Sequence, residues 1–475
     1  MVRTRYAPSP TGFMHIGNLR TALYEYLIAK GAGGVFILRI EDTDQERYVE
    51  GAEQAIFETL NIHGLNFDEG PGAGGNYGPY VQSERKESYL PHAKKLIEQG
   101  SAYYCFCSKE RLETLQDEHG HKKYDRFCYN LAEDEINNRL QSGHPYVVRQ
   151  LIPDGKTMFF DEVYGEISME NKEMEDQILI KSDGMPTYNF ANVVDDNAMK
   201  ITHVVRGGEY LTSTPKYKLL YDALGFDVPK FVHLPLLQNE KGQKISKRHG
   251  DASVKELTDS GFLPQAITNY AALLGWSPAK NKEIFTLKEL VEEFKPQDIS
   301  KSPSMYDIKK LTWVNAEHIK RLPADGFYEM ALPYLQVSVK KESIDYKRLA
   351  GMAQSRVSFV HEIKNLFDFI DSLPSYDISL YTHKKMKTNP EVSHKALTAA
   401  YNALQNLDVF ENNNIAGALA AAAGENGLTK GQVLWSARTA LSGKPETPCG
   451  AAEICELLGK VETLERIKIG MEKLA

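Results

Sequence analysis

Short apolar runs and polar turns divide the start of the chain. Residues 2 to 6 read as a strand, closed by the turn-rich stretch Pro8-Ser9-Pro10-Thr11-Gly12. Leu19, Ala22, Leu23, Tyr26 and Leu27 then recur at helical spacing, and Gly31, Gly33 and Gly34 stop the helix. Val35-Phe36-Ile37-Leu38-Arg39-Ile40 is a compact buried strand, ended by Glu41-Asp42-Thr43-Asp44. Strand, helix and strand in this order form a βαβ unit, so a doubly wound, Rossmann-like α/β domain opens the chain.

The pattern shifts further along. Residues 103–195 read as an inserted α/β domain, with a polar helix near Glu133–Gln141 and a strand-like run at Tyr146-Val147-Val148-Arg149. On either side, 1–102 and 196–240 form the two halves of the first domain, the second half holding a core strand at Ile201–Arg206 and a crossover helix at Tyr217–Leu224. Residues 241–320 make a connecting region. Over 321–475 Ala-rich helical periodicity takes over, as at Ala396–Leu407 and Ile415–Ala423, and predicts an all-α region of two helical subdomains.

Composition adds limits. A chain of 475 residues with 42% hydrophobic and 25% charged positions is that of an ordinary multidomain globular protein. Its net charge of -8 is unusual for a nucleic-acid binder, but a local basic face is enough for that purpose. The N-terminus has no apolar signal core and no run approaches the length of a spanning helix, so the expected address is the cytoplasm. Five cysteines, three of them at Cys105, Cys107 and Cys128, do not make a disulfide framework.

Two stretches carry candidate chemistry. Pro8-Ser9-Pro10-Thr11-Gly12-Phe13-Met14-His15-Ile16-Gly17-Asn18 lies between the first strand and its helix, where doubly wound sheets hold ligands and helix amides favour phosphate. There His15 can donate to a phosphate oxygen and Gly17 leaves room for a nucleotide. Lys244-Ile245-Ser246-Lys247-Arg248 follows Leu236-Leu237-Gln238-Asn239 in a polar loop, and two lysines three apart can clamp a pyrophosphate as charge develops on it. Taken singly, the first also reads as a turn with an incidental histidine and the second as a solvated basic loop.

As a pair, the two stretches resemble the signatures of class I aminoacyl-tRNA synthetases, with Asn18 where many members have a second histidine. The opening Arg5-Tyr6-Ala7-Pro8-Ser9-Pro10-Thr11-Gly12, Arg39-Ile40-Glu41-Asp42-Thr43-Asp44, Lys181-Ser182-Asp183-Gly184-Met185-Pro186-Thr187-Tyr188, Asn192-Val193-Val194-Asp195-Asp196 and His203-Val204-Val205-Arg206-Gly207-Gly208-Glu209 are similar to the glutamyl-/glutaminyl group. The helical C-terminus resembles the bacterial glutamyl branch, since glutaminyl enzymes carry β-barrels there.

The resemblance implies ATP-dependent ligation of L-glutamate to the 3′ end of tRNA(Glu) through a glutamyl-adenylate, with Mg2+ accompanying ATP. It makes 103–195 the acceptor-stem-binding domain, 241–320 a stem-contact region and 321–475 the anticodon-binding region. His15, Lys244 and Lys247 would catalyse, and ATP would meet His15, Gly17, Asn18, Glu209, Leu237, Lys244, Ser246 and Lys247. Gly208 stands where the family often has a second acid, leaving only Glu209 for that role. A dicarboxylic amino acid calls for two cations and one anion, and arginine binds carboxylates bidentately. Arg5, Tyr188 and Asn192 would hold the side-chain carboxylate and Arg206 the other, with Glu41 and Ser9 at the amino group. Asp44, Arg47, Lys309, Lys310, Lys320 and Arg321 would touch tRNA, and Arg356 would read the last anticodon base.

Cys105, Cys107 and Cys128 resemble a zinc-binding insertion, but zinc needs four ligands and the family's final histidine is Asn130 here, which favours inert thiols unless His119 or His121 substitutes. The family is commonly monomeric. The readings that remain beside this one are an enzyme that also charges tRNA(Gln) and a catalytically inactive synthetase-like RNA-binding protein.

Overall fold

The computed structural model describes residues 1–115, 124–243, 253–341 and 344–475. They divide into two compact units, Met1–Val314 and Asn315–Ala475, and the division falls inside the helix Ile308–Arg321, six residues before the 320/321 boundary read from the sequence.

The first unit starts with β1 (Arg3–Tyr6), α1 (Ile16–Gly31) and β2 (Val35–Leu38). β1 and β2 are parallel, with Arg3 opposite Val35 and Tyr6 opposite Leu38. Gly34 makes this approach possible: a Cβ there would lie 2.2 Å from the Val2 carbonyl oxygen, which accepts from Val35 N–H. Helix α1 is buried on nearly all sides. Toward the sheet, Thr4 Oγ1 donates to the Glu25 carbonyl. On the far side, Tyr24 donates to the Ala272 carbonyl and Arg20 to those of Leu274 and Pro235.

The chain continues through α2 (Ala52–Ile62), α3 (Tyr89–Glu98), β3 (Ala102–Cys105), α4 (Lys109–Thr114), α5 (Glu133–Gln141), β4 (Val147–Gln150), β5 (Lys156–Asp161), β6 (Gly165–Glu170) and β7 (Ile178–Ile180). It returns with α6 (Tyr188–Ala198), β8 (His203–Gly207), α7 (Thr214–Leu224) and β9 (Lys230–Leu234). β3, β4 and β7 make a small antiparallel sheet. β8 and β9 are parallel and belong to a sheet of order β6-β5-β9-β8. β1 lies beside β8: Thr202 N–H donates to the Arg3 carbonyl, and Arg3 N–H donates to Thr202 Oγ1.

The main core gathers Tyr89, Ala93 and Leu96 of α3, Phe190, Val193 and Val194 of α6, and Tyr217, Leu220 and Leu224 of α7. Residue 195, where the sequence reading ends the insertion, falls within α6. β5 joins its hairpin to β9 as well, so the segment 103–195 is partly built into the first domain's sheet.

In the second unit, the helices Ala324–Ser338 and Tyr346–Ala353 pack together, and Pro390–Gln405, Asn412–Glu425, Lys430–Ser442, Ala451–Leu458 and Lys460–Leu474 form a larger group. Arg466 is buried and donates to the Phe369 and Leu441 carbonyls, tying helix to loop. No strand occurs among the described residues beyond Met305.

Candidate active site

A cavity of about 340 Å³ opens where β1 ends, β8 ends and α1 begins. Of the residues singled out in the sequence, Arg5, Ser9, His15, Gly17, Asn18, Tyr188, Arg206, Glu209 and Leu237 line it. Glu41 and Asn192 do not; both are buried behind the wall.

His15 caps α1. Its Nδ1 accepts from Gly17 N–H at 3.0 Å and from Asn18 N–H at 3.3 Å. A ring accepting at Nδ1 carries its proton on Nε2, which is therefore its donor. Gly17 also leaves room for the His15 ring: a Cβ there would lie 2.9 Å from His15 Cε1. The first-turn amides expected to meet phosphate are engaged by His15 itself.

Arg5 and Arg39 are held in a buried charge cluster. Arg5 Nε and Arg39 Nη1 donate to Asp196 Oδ1 at 2.9 and 2.7 Å, Arg5 Nη1 to Glu25 Oε1 at 3.2 Å, and Arg39 Nη2 to Glu41 Oε1 at 2.7 Å. Burial opposes ionisation of Asp196, yet the two guanidiniums hold its carboxyl below the usual value. Burial pushes Glu25 well above its usual range, against the pull of Arg5. Burial raises the Glu41 carboxyl as well, with Arg39 and Arg5 opposing it. Arg5 Nη2 makes no hydrogen bond among the described residues. Glu41 Oε2 is buried without a partner, as an acceptor awaiting a donor would be.

Arg206 differs from Arg5. It is 6% exposed, and its partners among the described residues are all neutral: His233 Nε2 at 3.2 Å, Thr214 Oγ1 at 2.8 Å and the rings of Tyr217, Tyr210 and Phe231. Among the described residues no carboxylate pairs with it. A desolvated guanidinium without a counter-ion is a receptor for an anion.

Asn192 Nδ2 donates to the Tyr188 carbonyl, one helical turn back. Sequence reasoning missed Glu25, His233, Asp161 and Thr214. The available signal was a charged or polar residue in an otherwise apolar stripe, as Glu25 in α1 and His233 in Phe231-Val232-His233-Leu234.

The Lys244–Arg248 loop, with Ser246 and Lys247, lies outside the described residues, as do His119 and His121. The loop's flanks are placed, however. Leu236 and Leu237 line the cavity, and Ser253 forms a bridge with His15 while Val254 N–H donates to the Met14 carbonyl.

The three cysteines come together, with their sulfurs within 4.8 Å of one another. Tyr124 Oη sits 3.3 Å from Cys105 Sγ and 3.8 Å from Cys107 Sγ, while Asn130 Nδ2 turns away to the Arg126 carbonyl. Hydrogen bonds from Cys128, Tyr124 and Arg149 outweigh burial and lower the Cys105 thiol's pKa. Asp44, Arg47, Lys309, Arg321 and Arg356 are exposed, and Lys310 and Lys320 pair with Glu283 and Glu317.

The cavity lies at the carboxyl ends of parallel strands, and a helical unit follows it in sequence. Residues 1–313 match the family described as tRNA synthetases class I (E and Q), catalytic domain, and residues 326–471 match the anticodon binding domain. The chain belongs to the class I tRNA synthetases of the glutamyl and glutaminyl group. More particularly, it is 54% identical to the glutamate--tRNA ligase of Clostridium novyi (strain NT), over 100% of this chain and 98% of that one. It is 53% identical to the glutamate--tRNA ligase of Clostridium acetobutylicum, over 100% and 99%. A crystal structure of a glutamate tRNA ligase from Elizabethkingia meningosepticum, in complex with its amino acid, superposes with a TM-score of 0.87 at 35% identity, covering 100% of both chains.

Proposed function

We propose that this enzyme joins L-glutamate to the 3′ end of tRNA(Glu) in two steps. A glutamate carboxylate oxygen attacks the α-phosphorus of ATP; the bond to the bridging oxygen breaks and pyrophosphate leaves. A ribose hydroxyl at the tRNA 3′ end then attacks the activated carbonyl, loses its proton and expels AMP. Arg206, a buried cation with only neutral partners, carries this reading, because a dicarboxylic substrate supplies the missing charge.

The roles follow from the geometry. Arg206 receives one carboxylate; Arg5 Nη2 and Tyr188 receive the other, with Arg5's own charge already balanced by Asp196. Glu41 Oε2 and Ser9 serve the ammonium, which requires Glu41 to turn toward the cavity. His15 Nε2–H faces the triphosphate, with Asn18, Glu209 and Leu237 around the nucleotide. Lys244 and Lys247 act on the charge that develops as pyrophosphate departs. Magnesium, in this reading, enters with the triphosphate.

The cysteine cluster fits zinc. Tetrahedral zinc with sulfur at 2.3 Å sets sulfurs about 3.8 Å apart, close to the 3.5 Å between Cys107 and Cys128. Tyr124 would join the three cysteines in holding the ion, Asn130 being bonded to Arg126 instead, and the ion would pin the insertion that meets the acceptor end. Asp44, Arg47, Lys309 and Arg321 extend the contact with tRNA, and Arg356 reads the anticodon. The protein works in the cytoplasm as a monomer; no helix among the described residues is long and apolar enough to cross a membrane. Glutamate-dependent exchange of pyrophosphate into ATP, measured with and without tRNA, tests the reading, and its absence under both conditions overturns it.

A further inference from the structure

We infer that His233, fixed by Asp161, is a positioning residue that orients the Arg206 guanidinium toward the amino-acid substrate without neutralising it. The inference rests on the reading above, in which Arg206 receives a carboxylate.

Arg206 and His233 face each other in register on the parallel strands β8 and β9. Asp161, on β5, is saturated with donors. Oδ1 accepts from the Val163 and Tyr164 amides at 3.0 and 2.9 Å, and Oδ2 accepts from His233 N–H at 3.0 Å and His233 Nδ1 at 2.7 Å. Both side chains are 0% exposed. Since Asp161 holds the ring's proton on Nδ1, Nε2 presents a lone pair. Burial lowers the ring's pKa and Arg206 adds to this, the Asp161 hydrogen bond opposing, so the ring is neutral at physiological pH.

That lone pair accepts from Arg206 Nε–H at 3.2 Å. Thr214 Oγ1 accepts from Arg206 Nη2 at 2.8 Å and spends its own hydrogen on the Tyr210 carbonyl or on His233 Nε2. Tyr217 covers one face of the guanidinium, 4.4 Å from the ring centroid. Two acceptors and a ring thus fix the plane of the fork, and both acceptors are uncharged.

A carboxylate in place of His233 would hold Arg206 equally firmly but would cancel the charge that the substrate needs. Interposing a neutral imidazole keeps Asp161's charge one ring away. Pre-organisation of this kind lowers the cost of binding rather than adding a contact.

The test is tRNA charging by the full-length enzyme, reading the KM for glutamate, the KM for ATP and kcat. His233→Leu is expected to raise the glutamate KM at least tenfold, with ATP KM and kcat within about twofold. His233→Gln returns an acceptor near Nε2 and is expected to recover most of the loss. Thr214→Val, which removes the Nη2 acceptor from a helix rather than the sheet, is expected to raise the same KM, and it carries the test should His233→Leu fail to fold. Wild-type glutamate KM in both His233→Leu and Thr214→Val, or equal rises in the glutamate and ATP KM, would overturn the positioning role. A wild-type protein that charges no glutamate would instead overturn the functional reading beneath it.

Discussion

Replacing Arg206 by Met removes a charge that the fold does not itself use. The guanidinium is 6% exposed, ion-pairs with nothing among the described residues, and hydrogen-bonds only to His233 and Thr214. A carboxylate bound to its fork makes two charge-assisted hydrogen bonds, each worth about 1.5–3 kcal/mol, or about 3–6 kcal/mol together. At about 1.4 kcal/mol per decade that is a loss of about 10²–10⁴ in kcat/KM for glutamate. The fold should not suffer, because an unpaired buried cation costs stability and Thr214 and His233 still have each other as partners. Arg206→Met is thus expected to keep or raise the Tm while ATP KM stays within about twofold. Arg206→Lys is expected to recover little, since an ammonium lacks the planar fork that Tyr217, His233 and Thr214 are arranged to hold. The assay is glutamate-dependent charging of tRNA(Glu) alongside thermal melting. Glutamate use within threefold of wild type, or equal losses for glutamate and ATP, refutes the reasoning.

Three further outcomes are expected. Metal analysis of protein purified without chelator should find about one zinc per chain, lost in Cys107→Ser; metal-free protein with intact thiols rejects the Cys105, Cys107, Cys128 and Tyr124 site. His63 is 5% exposed and burial lowers its pKa from 6.5 to about 4. The unfolded chain therefore binds the proton first, and about 3 kcal/mol of stability present above pH 6.5 is lost as pH falls toward 4; denaturant midpoints of wild type and His63→Gln that fall in parallel over that window contradict this. Arg356 is exposed and its guanidinium makes no hydrogen bond or ion pair among the described residues, so it is available to a base edge; wild type should prefer tRNA(Glu) over tRNA(Gln), and Arg356→Gln should narrow the preference by about 1–3 kcal/mol, equal charging by the wild type being the contrary result.

Local pattern made much of the fold legible. The run Val35–Ile40 and the spacing of Leu19, Leu23 and Leu27 yield β2 and α1, the polar stretch Glu133–Gln141 is a helix with those ends, and the Ala-rich periodicity near 396 and 415 marks two of the C-terminal helices. Long-range pairing was not legible. β5 looks like part of an insertion until its Asp161 is seen beside Phe231, and α6 cannot be assigned to the main core from its own residues. The same limit applies to the site. The turn at residues 8–18 and the strand end at Arg206 both line the cavity. That Arg5 is balanced by Asp196, 191 positions away, and Arg206 by no carboxylate among the described residues, is a property of the folded arrangement. Spacing grouped the cysteines, but Tyr124 has no signature of its own.

The central claim, ATP-driven transfer of glutamate to tRNA, is tested most directly by charging. Purified full-length protein is incubated with MgATP, a tRNA(Glu) transcript and, separately, labelled glutamate, glutamine and aspartate, and acid-stable label on the tRNA is counted with AMP formation. The account predicts glutamyl-tRNA, formed only with ATP and with one AMP per glutamate attached, and at most traces with the other two amino acids. Label from glutamine or aspartate in preference to glutamate, or none from any, would contradict it.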